Sequence, residues 1–458
     1  MMHAARQRAA YLLADFLSTS AAWFVFNIVR YFTLPYNFGS MTLGTYLSMP
    51  MILIGQFVFP LMMVGLFAVS GYYNKVFFKS RLSDLLNAGG VSIIGSIVIF
   101  FSALFNDQID DRLGNFETIL ILWSLMAGTV GLARTIITKR TTQRIWDREI
   151  AFNSLIIGDS DKAKLLAKNL EEKHRNMGFR IVGFVGWDEL DGIENMVRDL
   201  DVQSFIIVPE TDNAANTVAT INRLLPLDRS VYITPDTYHL ITSRPRTTMV
   251  AGQVLIDVSK AAIPESTVNL KRIGDIVASA LALVALAPAF AVISFLIKRD
   301  SPGPVFYKQE RIGYKKKPFM VYKFRSMRVD AEAAGPALSS EGDPRVTHLG
   351  RVMRKYRIDE LPQFWNVLKG DMSLVGPRPE RQYYLSQIVA RAPYYNLLHQ
   401  VRPGITSWGM VKYGYAGNVD EMLERMQYEL LYVENVSFAV DLKILFYTIH
   451  TVVTGKGV

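Results

Sequence analysis

Four apolar stretches of about 20 residues each lie near the start of this 458-residue chain. They cover residues 9–31, 46–69, 85–105 and 119–137. A helix needs about 20 apolar residues to cross the hydrocarbon core of a bilayer. The sequence therefore predicts a membrane protein whose residues 1–150 form a bundle of four transmembrane helices and a basic connecting helix.

The loops between these stretches differ in charge. Residues 33–45 carry no charge, and residues 106–118 carry four acidic residues against Arg112. Basic residues lie before the first stretch, between the second and third, and after the fourth: Arg6, Arg8, Lys75, Lys79, Arg81, Lys139, Arg140, Arg144 and Arg148. Because short basic loops stay cytoplasmic, we expect both ends of this segment on the cytoplasmic side. The alternative is an apolar helical bundle in a soluble protein. In that case the alternation of basic and non-basic loops would be a coincidence.

Residues 151–258 alternate short apolar runs with helical patterns. Strands are predicted at 154–157, 179–185, 205–208 and 231–233, and helices at 162–173, 194–200 and 213–225. This alternation is typical of a parallel sheet covered by helices, so we predict a central α/β domain with a Rossmann-like fold.

The turn after the first predicted strand contains Gly158 but lacks two glycines of the dinucleotide fingerprint G-x-G-x-x-G. Those glycines let the backbone approach a pyrophosphate. Asp159 and Asp161 stand where a phosphate would lie. The chain also contains no Tyr-x-x-x-Lys motif. A degenerate nucleotide fold with a structural or regulatory role is therefore predicted, with a working cofactor site as the alternative.

Residues 276–297 are uncharged, but Pro288 lies near their middle. The flanks are basic on both sides, with Lys271, Arg272, Lys298 and Arg299. A proline inside a helix removes a hydrogen bond and kinks the helix, and a crossing helix usually has unequal flanks. We expect a re-entrant helix (about 273–297) that breaks at Pro288 and returns to the same face.

A strongly basic stretch follows this helix. Residues 298–328 hold ten Lys or Arg against two acidic residues, interleaved with aromatic residues. This composition suits anionic lipid headgroups, a polyphosphate ligand or both. We expect no nucleic-acid partner for a chain embedded in a membrane. The chain has no cysteine, which excludes disulfides, thiol nucleophiles and cysteine-ligated metals.

Two adjacent carboxylates, Asp359 and Glu360, follow four basic residues and precede Pro362. Because proline favours the first turn of a helix, we expect the pair at a helix N-terminus. The alternative is that Asp359 only caps that helix. Arg378 and Arg402 are each flanked by proline, and such rigid arginines suit phosphate recognition.

Three motifs then carry a resemblance to a known family. They are Lys323-Phe324-Arg325-Ser326-Met327, the run from Asp359 to Pro379, and Arg402-Pro403-Gly404-Ile405-Thr406. Over residues 269–458 the chain resembles the bacterial sugar transferase family, the monotopic phosphoglycosyl transferases. The leading helices and the degenerate domain resemble the large form, the polyprenyl-phosphate hexose-1-phosphate transferases. The resemblance implies an α-rich monotopic catalytic domain at 259–458 with a re-entrant helix. Ala287 stands where the family often has Ser.

The resemblance also implies a reaction. A sugar-1-phosphate passes from a nucleotide sugar, usually a UDP-hexose, to undecaprenyl phosphate, and UMP is released. Asp359 matches the family nucleophile, which forms a covalent aspartyl-phosphosugar, and Glu360 matches its partner. Both are candidate ligands of Mg²⁺. The candidate phosphate- and nucleotide-binding residues are Lys323, Arg325, Arg354, Arg378 and Arg402.

The implied setting is the cytoplasmic face of a bacterial inner membrane, at the first membrane step of surface polysaccharide synthesis (exopolysaccharide, capsule or O-antigen). The implied partners are the nucleotide sugar, undecaprenyl phosphate and membrane lipids. A homodimer and the identity of the sugar are left open. Two other functions are also left open: a membrane-tethered nucleotide-sugar oxidoreductase or dehydratase, and a non-enzymatic polysaccharide assembly factor.

Overall fold

The computed structural model describes residues 2–33, 41–74, 76–77, 79, 81–104, 112–171, 178–209, 214–234, 247–250, 253–258, 263–332, 335, 338 and 342–455. The chain divides into two compact units. The first comprises Met1–Ala151, Asn176–Gly178 and Pro264–Asn269, and the second comprises Phe152–Arg175, Phe179–Ile263 and Leu270–Val458. Residues 259–262, where we predicted a domain boundary, lie outside the described residues.

The first unit is helical. Its helices are α1 (Met2–Thr33), α2 (Leu43–Leu47), α3 (Pro50–Val69), α4 (Arg81–Ile99, continued by a π turn at Phe100–Leu104) and α5 (Arg112–Trp146). The predicted stretch 46–69 is divided between α2 and α3, because Pro50 begins a new helix. Proline has no backbone N–H and fits the first helical turn, where that donor has no partner.

A buried ion pair joins the first and last of these helices. Arg134 on α5 lies 2.7 Å from Asp15 on α1, and both side chains are fully buried. The Tyr73 hydroxyl donates to the same carboxylate at 2.6 Å. Because an unpaired charge in an apolar helix is costly, this pairing explains how α1 accommodates Asp15.

Five helices in the described chain are long and apolar enough to cross a membrane: Ala4–Thr33, Pro50–Val69, Arg81–Leu104, Gly114–Trp146 and Glu265–Asp300. The first four overlap the four predicted stretches, although residues 46–49 lie outside Pro50–Val69 and residue 105 lies outside the described residues. The apolar, helix-rich character expected of a membrane protein is therefore confirmed. The number of crossings and their orientation stay predictions.

The second unit begins with a mixed sheet in the order β2-β1-β3-β4-β6-β5. Its strands are β1 (Phe152–Ile157), β2 (Phe179–Val185), β3 (Ser204–Ile207), β4 (Ser230–Ile233), β5 (Thr247–Val250) and β6 (Gln253–Asp257). Strands β1 to β4 are parallel, and β6 runs antiparallel to β4. The four predicted strands are present, while the β5–β6 hairpin was not predicted.

Three helices accompany this sheet: α6 (Asp161–Glu171), α7 (Ile193–Asp199) and α8 (Ala214–Leu224). They agree with the predicted helices, although residues 172–173 and 213 of those predictions lie outside the described residues. Leu155, Ile157, Phe205 and Ile207 from the central strands are buried in the core. The α/β architecture follows from this apolar strand pattern.

A single 36-residue helix, α9 (Glu265–Asp300), contains Pro288. The chain is helical on both sides of Pro288. The expected break at Pro288 is therefore not seen as an interruption of the helix. Within the second unit, Arg272 donates to the carbonyls of Val367 and Leu368 at 2.6 and 3.1 Å. Near the other end, Ile297 packs with Phe324. Two distant parts of α9 therefore contact the same domain, and the re-entrant path stays a prediction.

The rest of the second unit is rich in helices, with two small sheets. Strands β7 (Phe306–Ile312) and β8 (Pro318–Phe324) form an antiparallel hairpin, and β9 (Ser373–Val375) pairs in parallel with β10 (Gly404–Thr406). The helices are α10 (His348–Lys355), α11 (Gln363–Lys369), α12 (Gln382–Arg391), α13 (Trp408–Lys412), α14 (Val419–Glu434) and α15 (Phe438–Val453). Buried side chains from α12, α14 and α15, including Ile388, Met426 and Ile444, form the core.

Candidate active site

The two adjacent carboxylates lie in a 3-10 turn between two helices. Arg357 follows α10 in the left-handed backbone region (φ 53°), and the turn Ile358–Glu360 comes next. Pro362 then leads into α11. Asp359 and Glu360 are 7% and 4% exposed. The predicted position of the pair, directly before a helix, is therefore found.

Three cations surround Glu360. The Lys323 Nζ lies 2.8 Å from Oε1, the Arg357 Nη1 lies 3.3 Å from Oε2, and the Arg378 Nη1 lies 3.6 Å from Oε1. Burial would raise the pKa of this carboxyl, but the charges of Lys323, Arg378 and Arg357 outweigh it and lower the pKa. Glu360 is therefore a stably ionised anchor for these cations.

Asp359 is in a different situation. Asp359 lines a cavity, and the hydrogen bonds among the described residues include none to its side chain. Helix α11 has Pro362 at its N-cap and no side-chain cap, so Asp359 does not cap it. Burial raises the pKa of Asp359 to about 6, although the charge of Lys323 acts to lower it. A carboxylate of raised basicity that faces a cavity can act as a nucleophile.

The cavity beside Asp359 has a volume of about 270 Å³. Its described lining includes nine Lys or Arg against three Asp or Glu. Four of the five predicted phosphate-binding residues are in this lining: Arg325, whose guanidinium is bonded to backbone carbonyls, and the three other cations Lys323, Arg354 and Arg378. Arg354 also donates to the Ser326 hydroxyl at 3.0 Å. The structure thus brings these three cations together around the nucleophile candidate, which suits a phosphate-bearing ligand.

The predicted phosphate-binding residues Arg325 and Arg402 are placed differently from these three. Arg325 borders the cavity, but its guanidinium donates to the carbonyls of Pro302 and Ser301 at 3.0 and 2.6 Å, at the end of α9. Arg402 is outside the cavity lining, and its Nε donates to the Gly370 carbonyl at 3.1 Å. For both residues, a contact with phosphate stays a prediction.

The structure adds residues that the sequence analysis did not select. Arg357 contacts Glu360. The ring centroid of Tyr415 lies 5.0 Å from the Arg357 guanidinium and 5.2 Å from the Arg378 guanidinium. Arg357 belongs to the basic run before the carboxylates, so its position offered a signal. Tyr415 lies in no recognised motif and is brought here by the fold.

The site can be tested for its fit to Mg²⁺. The described residues contain no group of three His, Cys, Asp or Glu that could hold a metal. Mg²⁺ usually takes only one or two carboxylates and completes its shell with substrate phosphates and water. Asp359 can supply one such carboxylate. Glu360 would have to exchange a cation contact for the metal. The residues therefore fit a Mg²⁺ ion that is held jointly with a phosphate substrate.

Comparison with known proteins places these observations in a family. Residues 266–455 match the bacterial sugar transferase family. The UDP-glucose:undecaprenyl-phosphate glucose-1-phosphate transferase of Escherichia coli is 31% identical over 384 residues, 79% of this chain and 80% of that protein.

Two further relatives match a smaller share of this chain. The UDP-N-acetylgalactosamine-undecaprenyl-phosphate N-acetylgalactosaminephosphotransferase of Aeromonas hydrophila is 45% identical over 188 residues, 41% of this chain and 44% of that protein. An exopolysaccharide production protein of Rhizobium leguminosarum bv. phaseoli is 42% identical over 202 residues, 41% of this chain and 98% of that protein. Because the match to the Escherichia coli protein extends over most of both chains, this chain belongs to the bacterial sugar transferase family.

Proposed function

We propose that the protein transfers a sugar-1-phosphate from a UDP-sugar to undecaprenyl phosphate through a covalent intermediate on Asp359. The contrast between the two carboxylates carries this proposal. Glu360 is surrounded by Lys323, Arg357 and Arg378, while Asp359 faces the cavity. The relatives' names support the substrate classes, since they specify undecaprenyl phosphate with UDP-glucose or UDP-N-acetylgalactosamine. Family membership favours this reaction over the oxidoreductase and non-enzymatic alternatives.

The first half-reaction follows from this arrangement. An oxygen of the Asp359 carboxylate attacks the phosphorus that carries the sugar, and a new O–P bond forms. The bond from that phosphorus to the bridging oxygen of the diphosphate breaks, and UMP leaves with that oxygen. Lys323, Arg354 and Arg378 stabilise the negative charge that moves toward the leaving phosphate. The product on the protein is an acyl-phosphate that bears the sugar.

In the second half-reaction, the lipid phosphate is the nucleophile and the Asp359 carboxylate is the leaving group. A phosphate oxygen of undecaprenyl phosphate attacks the same phosphorus, and the bond to Asp359 breaks. The carboxylate is released unchanged, and undecaprenyl diphosphate-sugar forms. No proton needs to be gained or lost on the protein over the cycle. Bound Mg²⁺ would supply charge neutralisation for the diphosphate.

We also propose that this chemistry takes place at the cytoplasmic surface of the inner membrane. Helix α15 exposes an apolar stripe at helical spacing, formed by Phe438, Leu442, Phe446, Ile449 and Val453. Such a stripe suits contact with lipid. The contacts of the catalytic domain with two distant parts of α9 support a path that returns to the same face. The reaction would then begin the assembly of a surface polysaccharide such as an exopolysaccharide.

A panel of nucleotide sugars tests this function. Purified protein is mixed with undecaprenyl phosphate and each nucleotide sugar, and UMP release is measured. We expect release with at least one UDP-sugar and none with Asp359→Asn. The matched control is Asp420→Asn, because Asp420 is exposed and paired with Arg391 on the surface. Lipid-dependent release by Asp359→Asn at the rate of the control would contradict the proposal.

Chelation tests the proposed metal. We expect EDTA to stop UMP release and added Mg²⁺ to restore it, because a carboxylate, a diphosphate and a lipid phosphate meet in one site. Full activity after rigorous removal of divalent metals would show that the cations of the cavity suffice.

A further inference from the structure

One face of strand β7 forms a wall of the cavity. Tyr307, Gln309 and Arg311 alternate along the strand and all line the cavity, as side chains two residues apart share a face. Tyr307 pairs across the hairpin with Lys323, whose ammonium contacts Glu360. The wall therefore begins beside the carboxylate pair. Gln309 follows about 7 Å further along the strand.

The charge of the cavity changes along this wall. Beside the carboxylates, Lys323, Arg357 and Arg378 share the single carboxylate of Glu360. That end has an excess of positive charge and suits a phosphate.

Further along, the arginines contact carboxylates: Arg381 pairs with Glu332, and Arg311 shares Glu380 with Arg425. Arg381 donates through both Nη atoms to Glu332, at 2.8 and 3.1 Å. Arg311 donates through its Nη2 to Gln309 Oε1 at 2.6 Å, and Arg345 lies 2.5 Å from Asp343. These contacts leave less unshared positive charge here than beside Glu360, where three cations share one carboxylate. The many hydrogen-bonding groups of this part suit an uncharged polar ligand.

Several neighbouring donors hold the Glu332 carboxylate in a fixed orientation. Its Oε1 accepts from Arg381 and also from Gln309 Nε2 at 3.2 Å, while its Oε2 accepts from Arg381. A carboxylate has about four lone-pair sites, and the Glu332 side chain is 34% exposed. The Tyr307 hydroxyl also interacts with this carboxylate, and a hydroxyl group of a ligand in the cavity can replace it as the donor.

The order of groups in the substrate decides which group lies here. Asp359 attacks the phosphorus that is bonded directly to the sugar, so the sugar is next to that phosphate. The nucleoside lies beyond a second phosphate, which would need further unshared cations. Along the Tyr307–Gln309 wall the described cations beyond Lys323 are paired. The wall therefore fits the sugar better than the second phosphate and its nucleoside.

We propose that Gln309 and Glu332 bind hydroxyl groups of the transferred sugar and determine which sugar is accepted. This inference rests on the proposed function of the same cavity. It assigns sugar recognition to the face of β7 and to the Glu332–Arg381 pair, apart from the residues that hold the phosphate. A site that hydrogen-bonds a substrate hydroxyl discriminates against analogues that lack it or place it differently.

Binding measurements on a variant that cannot transfer test this directly. In an Asp359→Asn background, dissociation constants are measured for UMP, UDP-glucose, UDP-galactose and UDP-N-acetylgalactosamine. We expect Glu332→Gln and Gln309→Ala to change the ratios between the UDP-sugars about tenfold and to leave UMP affinity unchanged. The control is Glu310→Gln, since Glu310 is exposed on the same strand and outside the cavity lining.

Two results would overturn the inference. Equal weakening of UMP and of all UDP-sugars would place the nucleoside at this wall, and unchanged ratios would show that the network is only structural. The proposed function is judged separately by UMP release from the unmutated protein. If the protein binds UDP-sugars selectively but releases no UMP, the proposed function is wrong. The inference that Gln309 and Glu332 bind the sugar would still stand.

Discussion

The ammonium of Lys323 lies 2.8 Å from a carboxylate oxygen of Glu360, so two neighbouring acids have different surroundings. Arg357 and Arg378 contact the same carboxylate, so Glu360 is held in place as an ion. Asp359, one residue earlier, faces the cavity with a raised pKa. The cations keep Glu360 ionised, whereas burial raises the pKa of Asp359, and this difference supports the proposed assignment of Asp359 as the nucleophile.

Glu360→Gln should reduce transfer by about a hundredfold or more, comparable to the loss of one group that stabilises charge in a transition state. The change leaves three partly buried cations without their shared carboxylate, and removing one partner of a fully buried ion pair costs about 3–5 kcal/mol. We therefore also expect a lower midpoint of thermal unfolding. Initial rates and melting curves of the detergent-solubilised variant check both effects. Wild-type rates in Glu360→Gln would show that the anchor is not needed.

The first half-reaction should lose rate as the pH falls through about 6. Burial raises the pKa of Asp359 to about 6, so its reactive ionised form is present above that pH and is lost below it. We expect the rate of UMP release without lipid at pH 5 to be about a tenth of that at pH 7. Omitting undecaprenyl phosphate removes the titration of the lipid phosphate. Equal rates at the two pH values would contradict the raised pKa.

Arg325→Ala should destabilise the protein more than it weakens nucleotide binding. Its guanidinium donates to the backbone at Pro302 and Ser301, and hydrogen bonds from a charged group are each worth about 1.5–3 kcal/mol. Melting curves and UMP affinity are measured together. As a control, Arg391→Ala removes an exposed ion pair and should change stability by less than about 1 kcal/mol. An unchanged melting midpoint with strongly reduced UMP affinity would instead make Arg325 a phosphate contact.

Single cysteines test the path of α9, because the chain contains no natural cysteine. We expect Leu270→Cys and Asp300→Cys both to react with an impermeant reagent only from the cytoplasmic side. The expectation rests on Pro288 and on the contacts of the catalytic domain with two distant parts of this helix. Labelling of position 300 in intact spheroplasts would show that the helix crosses the membrane.

The sequence predicted those parts of the fold that depend on local pattern. Strand β2 was expected at 179–185 and is found at Phe179–Val185, because a run rich in Phe, Ile and Val favours a strand. The β5–β6 hairpin was not predicted. Its first strand begins with two polar residues, Thr247 and Thr248. Its second contains the apolar run Val254-Leu255-Ile256, which is too short to distinguish a strand from a helix by pattern alone.

The site was predictable only in part for a related reason. Motifs identified Asp359, Lys323 and Arg378, which the fold brings together. The bonds of Arg325 to the end of α9 join residues more than 20 positions apart, and no local pattern encodes them. The contact between Gln309 and Glu332 likewise depends on how the β7–β8 hairpin packs against the following segment.

The most direct test of the central claim is to trap the sugar on the protein. Purified protein is incubated with a UDP-sugar labelled in the sugar, without undecaprenyl phosphate, and the denatured chain is analysed by mass spectrometry. We predict label bound covalently to Asp359, release of an equal amount of UMP, loss of label when undecaprenyl phosphate is added, and no label on Asp359→Asn. A protein that transfers the sugar but never carries label, with initial rates that require both substrates bound together, would contradict the covalent mechanism.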